Sequence, residues 1–204
     1  MYSHSNFNPL LNPDLLYESL KHLDYHSIRQ VCSSDKNIYL MCATNPLITK
    51  LIRQRRIEHK TNRFLRHSIK DNKIAEASGL GDTEIVDELI KRGFDPTKDY
   101  NNAIVIASGH GHLAVVNRLL EDNRVNPGAQ DNYAIIYASA AGKLSVANRL
   151  LHDERVKPNA QANLAIQWAS KNRHIAVVNR LLQDVRVRES LSPEELQKYL
   201  QEIS

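Results

Sequence analysis

At 204 residues, with 42% hydrophobic and 25% charged residues, the chain has an ordinary globular composition and length enough for one large domain or two small ones. Leu, Ile and Val recur along almost the whole length, which excludes extended disorder, and no apolar run approaches the roughly 18 residues that a bilayer crossing needs. The net charge of +4 is mild but uneven: nine Lys or Arg stand against Glu58 and Asp71 between Lys50 and Lys73, and the rest of the chain is nearly balanced. The opening, Met1 to Pro9, lacks the basic and apolar regions of a secretory signal. Cys32 and Cys42 make neither a disulfide framework nor a metal-binding CxxC pair, so each reads as a small buried apolar residue. The sequence therefore predicts a soluble, intracellular chain with reduced thiols.

In chain order, the first elements are three short helices. Pro13 opens one that carries Leu16, Leu20 and Leu23; a second holds Ile28, Val31 and Cys32; a third lies around Ile38, Tyr39 and Met41. Three such helices make a core too small to stand comfortably alone, so the unit is expected to lean on a partner. The run Pro13-Asp14-Leu15-Leu16, then Leu20, Leu23-Asp24, Ile28 and Val31-Cys32 resembles an F-box, with Asn12 and Ser19 where the family has Leu and Ile, and no Trp after the Val-Cys pair. The resemblance implies that residues 1–46 dock on the small adaptor subunit of a cullin–RING ubiquitin ligase. Pro13, Leu15, Leu16, Leu20, Leu23, Ile28 and Val31 would be the contact residues. The alternative is a helical cap or dimerisation unit with no ubiquitin link.

Residues 47–71 read as basic connecting helices, with Leu47, Ile48, Leu51, Ile52, Phe64, Leu65 and Ile69 inward and a solvated basic face. Arg53, Arg55, Arg56, Lys60, Arg63 and Arg66 could neutralise phosphates, but apart from Phe64 the aromatics for base stacking are missing. No nucleic-acid or membrane partner is expected.

The remainder repeats. Ala103-Ile104, Ala134-Ile135 and Ala165-Ile166 recur every 31 residues, and so do Ala107-Ser108, Ala138-Ser139 and Ala169-Ser170. Val115-Val116-Asn117-Arg118-Leu119-Leu120 returns at 146–151 and again at 177–182, and a less regular copy starts near Lys73. Each unit reads as two helices with one apolar stripe apiece, broken by glycine, and such pairs bury their faces only when stacked. Ala107-Ser108, Gly111-His112-Leu113, Val115-Val116 and Leu119-Leu120 resemble the ankyrin repeat, whose period is nearer 33. Four units follow, 72–100, 101–131, 132–162 and 163–187, with the connecting finger two residues shorter than in the family. The family's β-hairpin finger is therefore in doubt, whereas stacked helix pairs are expected.

Asn101, Asn132 and Asn163 read as caps of the first helices, and Arg118, Arg149 and Arg180 as partners of Asp122, Asp153 and Asp184 four residues on. By analogy with ankyrin units, Gly109-His110, Ala140-Ala141 and Lys171-Asn172 face inward. The candidate target-binding residues are Tyr100, His110, Tyr133, Tyr137, Trp168, Lys171 and Asn172, because rigid aromatics are favoured interface anchors. Residues 188–204 read as a capping helix: Ser192 and Glu195 form a capping box around Pro193, and Leu196, Tyr199, Leu200 and Ile203 form one stripe.

Catalytic signals are missing. Gly79-Leu80-Gly81 and Gly109-His110-Gly111 fall in turns and lack a third glycine, His110 and His112 have no companion ligands, and no nucleophile motif occurs. No cofactor, no metal and no enzymatic activity are expected. The whole reads as an all-α, ankyrin-like solenoid with an F-box-like module. That pairing, together with the 31-residue units, is similar to giant-virus proteins, a likeness that implies an adaptor acting in host cytoplasm or nucleus.

Overall fold

A computed structural model of the chain describes residues 12–68 and 70–202; the opening segment, Ile69, Ile203 and Ser204 lie outside the described residues. Among the described residues there are fourteen helices and no strand, so the molecule is all-α as the periodicity demands. It divides into two compact units, Met1–His67 and Ser68–Ser204.

The first unit contains α1 (Pro13–Leu20), α2 (Tyr25–Ser34), α3 (Lys36–Thr44) and α4 (Pro46–His67). Short polar side chains start them: Asn12, Asp24 and Asp35 accept hydrogen bonds from the amides of Asp14, Ser27 and Asn37, and Asn45 accepts one from Leu47. The Ser27 amide, foremost, holds the Asp24 carboxyl below the ordinary aspartate value. Leu20, Ile28, Cys32, Cys42 and Ile48 form the core, with Leu16, Leu23, Val31 and Ile52 packed against it. Arg55 on α4 donates to the Lys21 carbonyl at 2.7 Å, and His26 and His59 meet ring nitrogen to ring nitrogen at 3.0 Å, joining α4 to α1 and α2.

Two expectations are corrected here. The basic segment is not a set of connecting helices: residues 46–67 are one 22-residue helix that packs on α2 and α3 and supplies Ile48 to their core. Nor are the thiols reduced. The turn at Asp35 folds α3 back along α2, brings the Cα atoms of Cys32 and Cys42 to 5.9 Å, and the two residues form a disulfide.

The second unit stacks helix pairs: α5 (Lys73–Gly79) with α6 (Thr83–Lys91), α7 (Lys98–His110) with α8 (Leu113–Leu120), α9 (Ala129–Ala140) with α10 (Leu144–Leu151), and α11 (Ala160–Lys171) with α12 (Ile175–Leu182). The first helices form one layer, α5–α7–α9–α11, and the second helices another, α6–α8–α10–α12. Between them lie the recurring residues: Ala107, Ala138 and Ala169, small enough to let the layers close, with Leu119, Leu150 and Leu181, all wholly buried. Each buried Leu contributes about 1.5–3 kcal/mol. After α13 (Val185–Arg188) comes α14 (Pro193–Glu202), which opens with the expected reciprocal box: the Ser192 amide donates to Glu195 at 2.9 Å and the Glu195 amide to Ser192 Oγ at 3.2 Å.

No hairpin joins successive units among the described residues. Three consecutive residues instead take left-handed backbone angles, Asp99-Tyr100-Asn101, Gln130-Asp131-Asn132 and Gln161-Ala162-Asn163, with φ between 51° and 69°. Such a turn is strained for residues with a Cβ, and Asn tolerates it best. The three asparagines do not cap their own helices. Asn101 Oδ1 and Asn132 Oδ1 accept the amides of Asn126 and Lys157 at 2.8 and 2.6 Å, and Asn163 accepts from the Ser190 hydroxyl at 2.8 Å, so each holds the strand of chain that leads into the next turn. The arginine ladder is corrected as well. Arg118 pairs with Asp87 of the preceding unit at 2.7 Å and Arg149 donates to Asn117 at 3.0 Å, while Asp122, Asp153 and Asp184 pair with Arg124, Arg155 and Arg186 two residues on.

Candidate functional site

The repeat geometry leaves a slot between α7 and α9. Where the scaffold puts small residues on the exposed side of a first helix, Gly109 on α7 and Ala140 and Ala141 at the end of α9, the surface dips. Val105, Ile106 and His110 form one wall and Tyr133 and Tyr137 the other, with Asn102 and Gln130 at the finger end; the volume is about 540 Å³. Tyr133 and Tyr137 pack edge to face with centroids 5.6 Å apart, which fixes both rings. Tyr137 is half exposed, so its apolar face is open to a ligand. His110 donates from Nδ1 to the Ile106 carbonyl at 2.9 Å and stands parallel to His112.

The turn end of the slot is tied to the fourth unit. Asn172 Nδ2 donates to the Ala140 carbonyl at 2.7 Å, and His174 Nε2 reaches the same oxygen at 3.0 Å. His112 makes a similar contact two units earlier, to the Gly79 carbonyl at 3.1 Å, so this histidine braces a turn. Trp168 and Lys171 line a separate recess between α11 and α14, with Lys171 Nζ 4.7 Å from the Trp168 ring and with Glu195, Lys198, Tyr199 and Glu202 opposite.

Of the candidate target-binding residues, the slot thus gathers His110, Tyr133 and Tyr137, and Asn172 touches its end. Trp168 and Lys171 belong to the neighbouring recess, and Tyr100, four-fifths exposed, stands at a left-handed turn outside both. Val105 and Gln130 complete the slot without having been singled out in the sequence. Val105 belongs to the recurring apolar pattern and Gln130 to a finger, so neither carried a signal of its own.

In the first unit, Pro13 and Leu15 are exposed, and Leu16, Leu23 and Val31 are half-buried against the core. Leu20 and Ile28 are wholly internal and offer no surface to a partner. Tyr39, Leu40 and Leu47, which the sequence did not single out as contacts, are exposed by half or more. A second hollow of about 420 Å³ lies over the disulfide, lined by Tyr39, Ile52, Arg53 and Arg56. No cluster of three or more His, Cys, Asp or Glu side chains that could hold a metal occurs among the described residues, and no helix there is long and apolar enough to cross a membrane.

Residues 73–162 match the family model for ankyrin repeats, in three copies. The helix pairs that build the slot lie within that match, and ankyrin repeats are typically a non-enzymatic interaction scaffold. No curated protein and no solved structure matches the chain.

Proposed function

We propose that the protein is a protein–protein adaptor, the substrate receptor of a cullin–RING ubiquitin ligase, in which the first unit engages the ligase's adaptor subunit and the repeats hold the target. The observation that carries the reading is the first unit's surface. A core of five buried residues leaves Leu15, Tyr39, Leu40 and Leu47 more than half exposed, more apolar surface than so small a unit leaves open without a partner. Leu16, Leu23 and Val31 are half-buried against the core, and Leu20 and Ile28 hold its helices in place from within. Catalysis would be by proximity: tethering the target raises the effective concentration of its lysines at the transferase. The idiosyncratic repeat length favours a viral protein acting inside a host cell.

Affinity capture with mass spectrometry tests both halves. Leu15→Asp with Leu40→Asp is expected to lose the ligase adaptor and keep the target, and Tyr133→Ala to do the reverse. Recovery of a target but no ligase adaptor by the unaltered chain overturns the ligase reading. One observation favours a second reading, a repeat scaffold whose N-terminal helices act as a cap or dimer unit: the Cys32–Cys42 disulfide belongs to oxidising compartments. A dimer on a sizing column that Leu40→Asp dissociates would decide for it.

A further inference from the structure

The turn end of the slot carries charge of one sign. Ala140 and Ala141 end the slot, and the chain continues through Gly142 to Lys143. From the other side Asn172, whose amide lies 2.7 Å from the Ala140 carbonyl, is flanked by Lys171 and Arg173, both exposed. His110 lines the same end, and His174 touches the same carbonyl. The turns of units two to four, residues 108–113, 139–144 and 170–175, contain no Asp or Glu. Two acids of α14, Glu195 and Glu202, share the recess of Lys171, and Glu202 there accepts the Ser170 hydroxyl at 2.5 Å. Lys143 and Arg173 make no direct ion pair among the described residues. The carbonyl ends of α7, α9 and α11 point the same way, and a row of cations there suits those ends while leaving the cations free to take a second, anionic partner.

The slot itself is different in character. Its walls are Val105, Ile106, Tyr133 and Tyr137, and His110 is its one titratable lining residue besides the tyrosines. A charged group inside it would lose water without gaining a counter-ion. A bulky apolar side chain would bury itself against two fixed rings.

We propose that the slot receives an acidic, apolar-anchored segment of the target protein: one bulky apolar side chain between α7 and α9, with neighbouring carboxylates at Lys143, Lys171 and Arg173. This rests on the reading that the repeats hold the target, and not on the ligase half of that reading. The anchor supplies affinity, and the cations supply the choice of flanking sequence and the rate of encounter. Because the cations lie at one end, the segment has a fixed polarity along α9, its acidic side toward Gly142.

Display of random dodecapeptides against the full chain, followed by fluorescence titration of the enriched peptides, tests it. The expected enrichment is of sequences with one bulky apolar residue and at least two Asp or Glu close by. Their binding should fall about tenfold or more in Tyr137→Ala and in Lys171→Glu with Arg173→Glu, and should weaken as salt is raised. Gly109→Leu is the second variant. A Cβ there meets Tyr137 Cβ at an ordinary 3.4 Å, so the longer side chain fills the slot while a helical glycine is removed. It should melt at or above the parent temperature and bind no peptide. Enrichment of basic or uncharged sequences, no enrichment at all, or acidic peptides that bind Tyr137→Ala and Gly109→Leu undiminished overturns the proposal. Ligase-adaptor capture is scored on the first unit and is unaffected by any of these outcomes, so failure of one half is distinguishable from failure of the other.

Discussion

Arg173 occupies the turn position that Gly81, Gly111 and Gly142 hold in the preceding units, and it does so at φ 59°. The glycines answer two demands. Their backbone is left-handed, and a Cβ on Gly142 would sit 2.6 Å from the ring of His174 in the next unit. After the fourth unit no further repeat with a histidine or lysine over this turn follows among the described residues, so the backbone demand is the one that remains. Arg173→Gly is therefore expected to raise the unfolding free energy by about 1 kcal/mol, the strain of a left-handed side chain less the entropy of glycine. Gly142→Ala should lower it, because there both demands apply; urea unfolding measures the two. A second residue-scale consequence concerns acid. Asp184 is nine-tenths covered and its carboxyl is held below the ordinary aspartate value of 3.8, chiefly by the hydrogen bond from the Arg186 guanidinium and against the opposing effect of burial. A depressed carboxyl contributes stability that is complete above the unfolded value and disappears as pH falls through the folded one. Asp184→Asn should therefore flatten the loss of stability below about pH 4 while lowering stability at neutral pH, as read from thermal melts across that range.

Between elements, the recurring contacts are made by polar side chains, some reaching back to the unit before and some closing a turn within one unit. Arg155 and Arg186 each grip an Asp two residues earlier and donate to the carbonyls of Val125 and Val156 in the unit before, at 2.8 and 3.0 Å. Asn132 accepts the Lys157 amide from within a left-handed turn that also suits glycine. Asn132→Gly keeps the turn and removes only the acceptor, and it is expected to lower stability by about 1–3 kcal/mol by stranding that amide. A urea midpoint equal to the parent's would show that water replaces the side chain. The helix pairs were legible because the apolar stripes of the last three units recur with a 31-residue spacing and alanine stands at the same buried positions in each first helix. The finger turns were not. Of Gln161, Ala162 and Asn163 only the last tolerates a left-handed backbone, so propensity argued against the conformation that the junction imposes. Arg118 was read with the acid four residues on because local spacing is visible in a sequence, while Asp87 becomes its neighbour only through stacking. The disulfide was hidden for the same reason, since a sequence separation of 10 says nothing of a turn at Asp35. Within the slot, the two tyrosines and His110 stood out as departures from the repeat, and Val105, which conforms to it, did not.

At the scale of the molecule the two units differ in what holds them together. The first has five buried core residues and a covalent link between two of its helices, and unpaired apolar surface remains. The second distributes its stability over like units and the junctions between them: the alanines recur, the asparagine acceptor recurs within the second and third units, and an arginine crosses each of the last two junctions. A junction of that kind does not record which unit it belongs to. Cut the array at any two equivalent positions, and each fragment presents one complete half of the common seam. Copy number is then an inheritable quantity in its own right: whole 31-residue segments can be duplicated or lost in register, whereas one residue more or fewer would put every asparagine, glycine and arginine opposite the wrong mate. A protein built this way can alter what it recognises without redesigning anything that keeps it folded, because each new copy arrives with its seam already made and only its exposed side chains still to diverge.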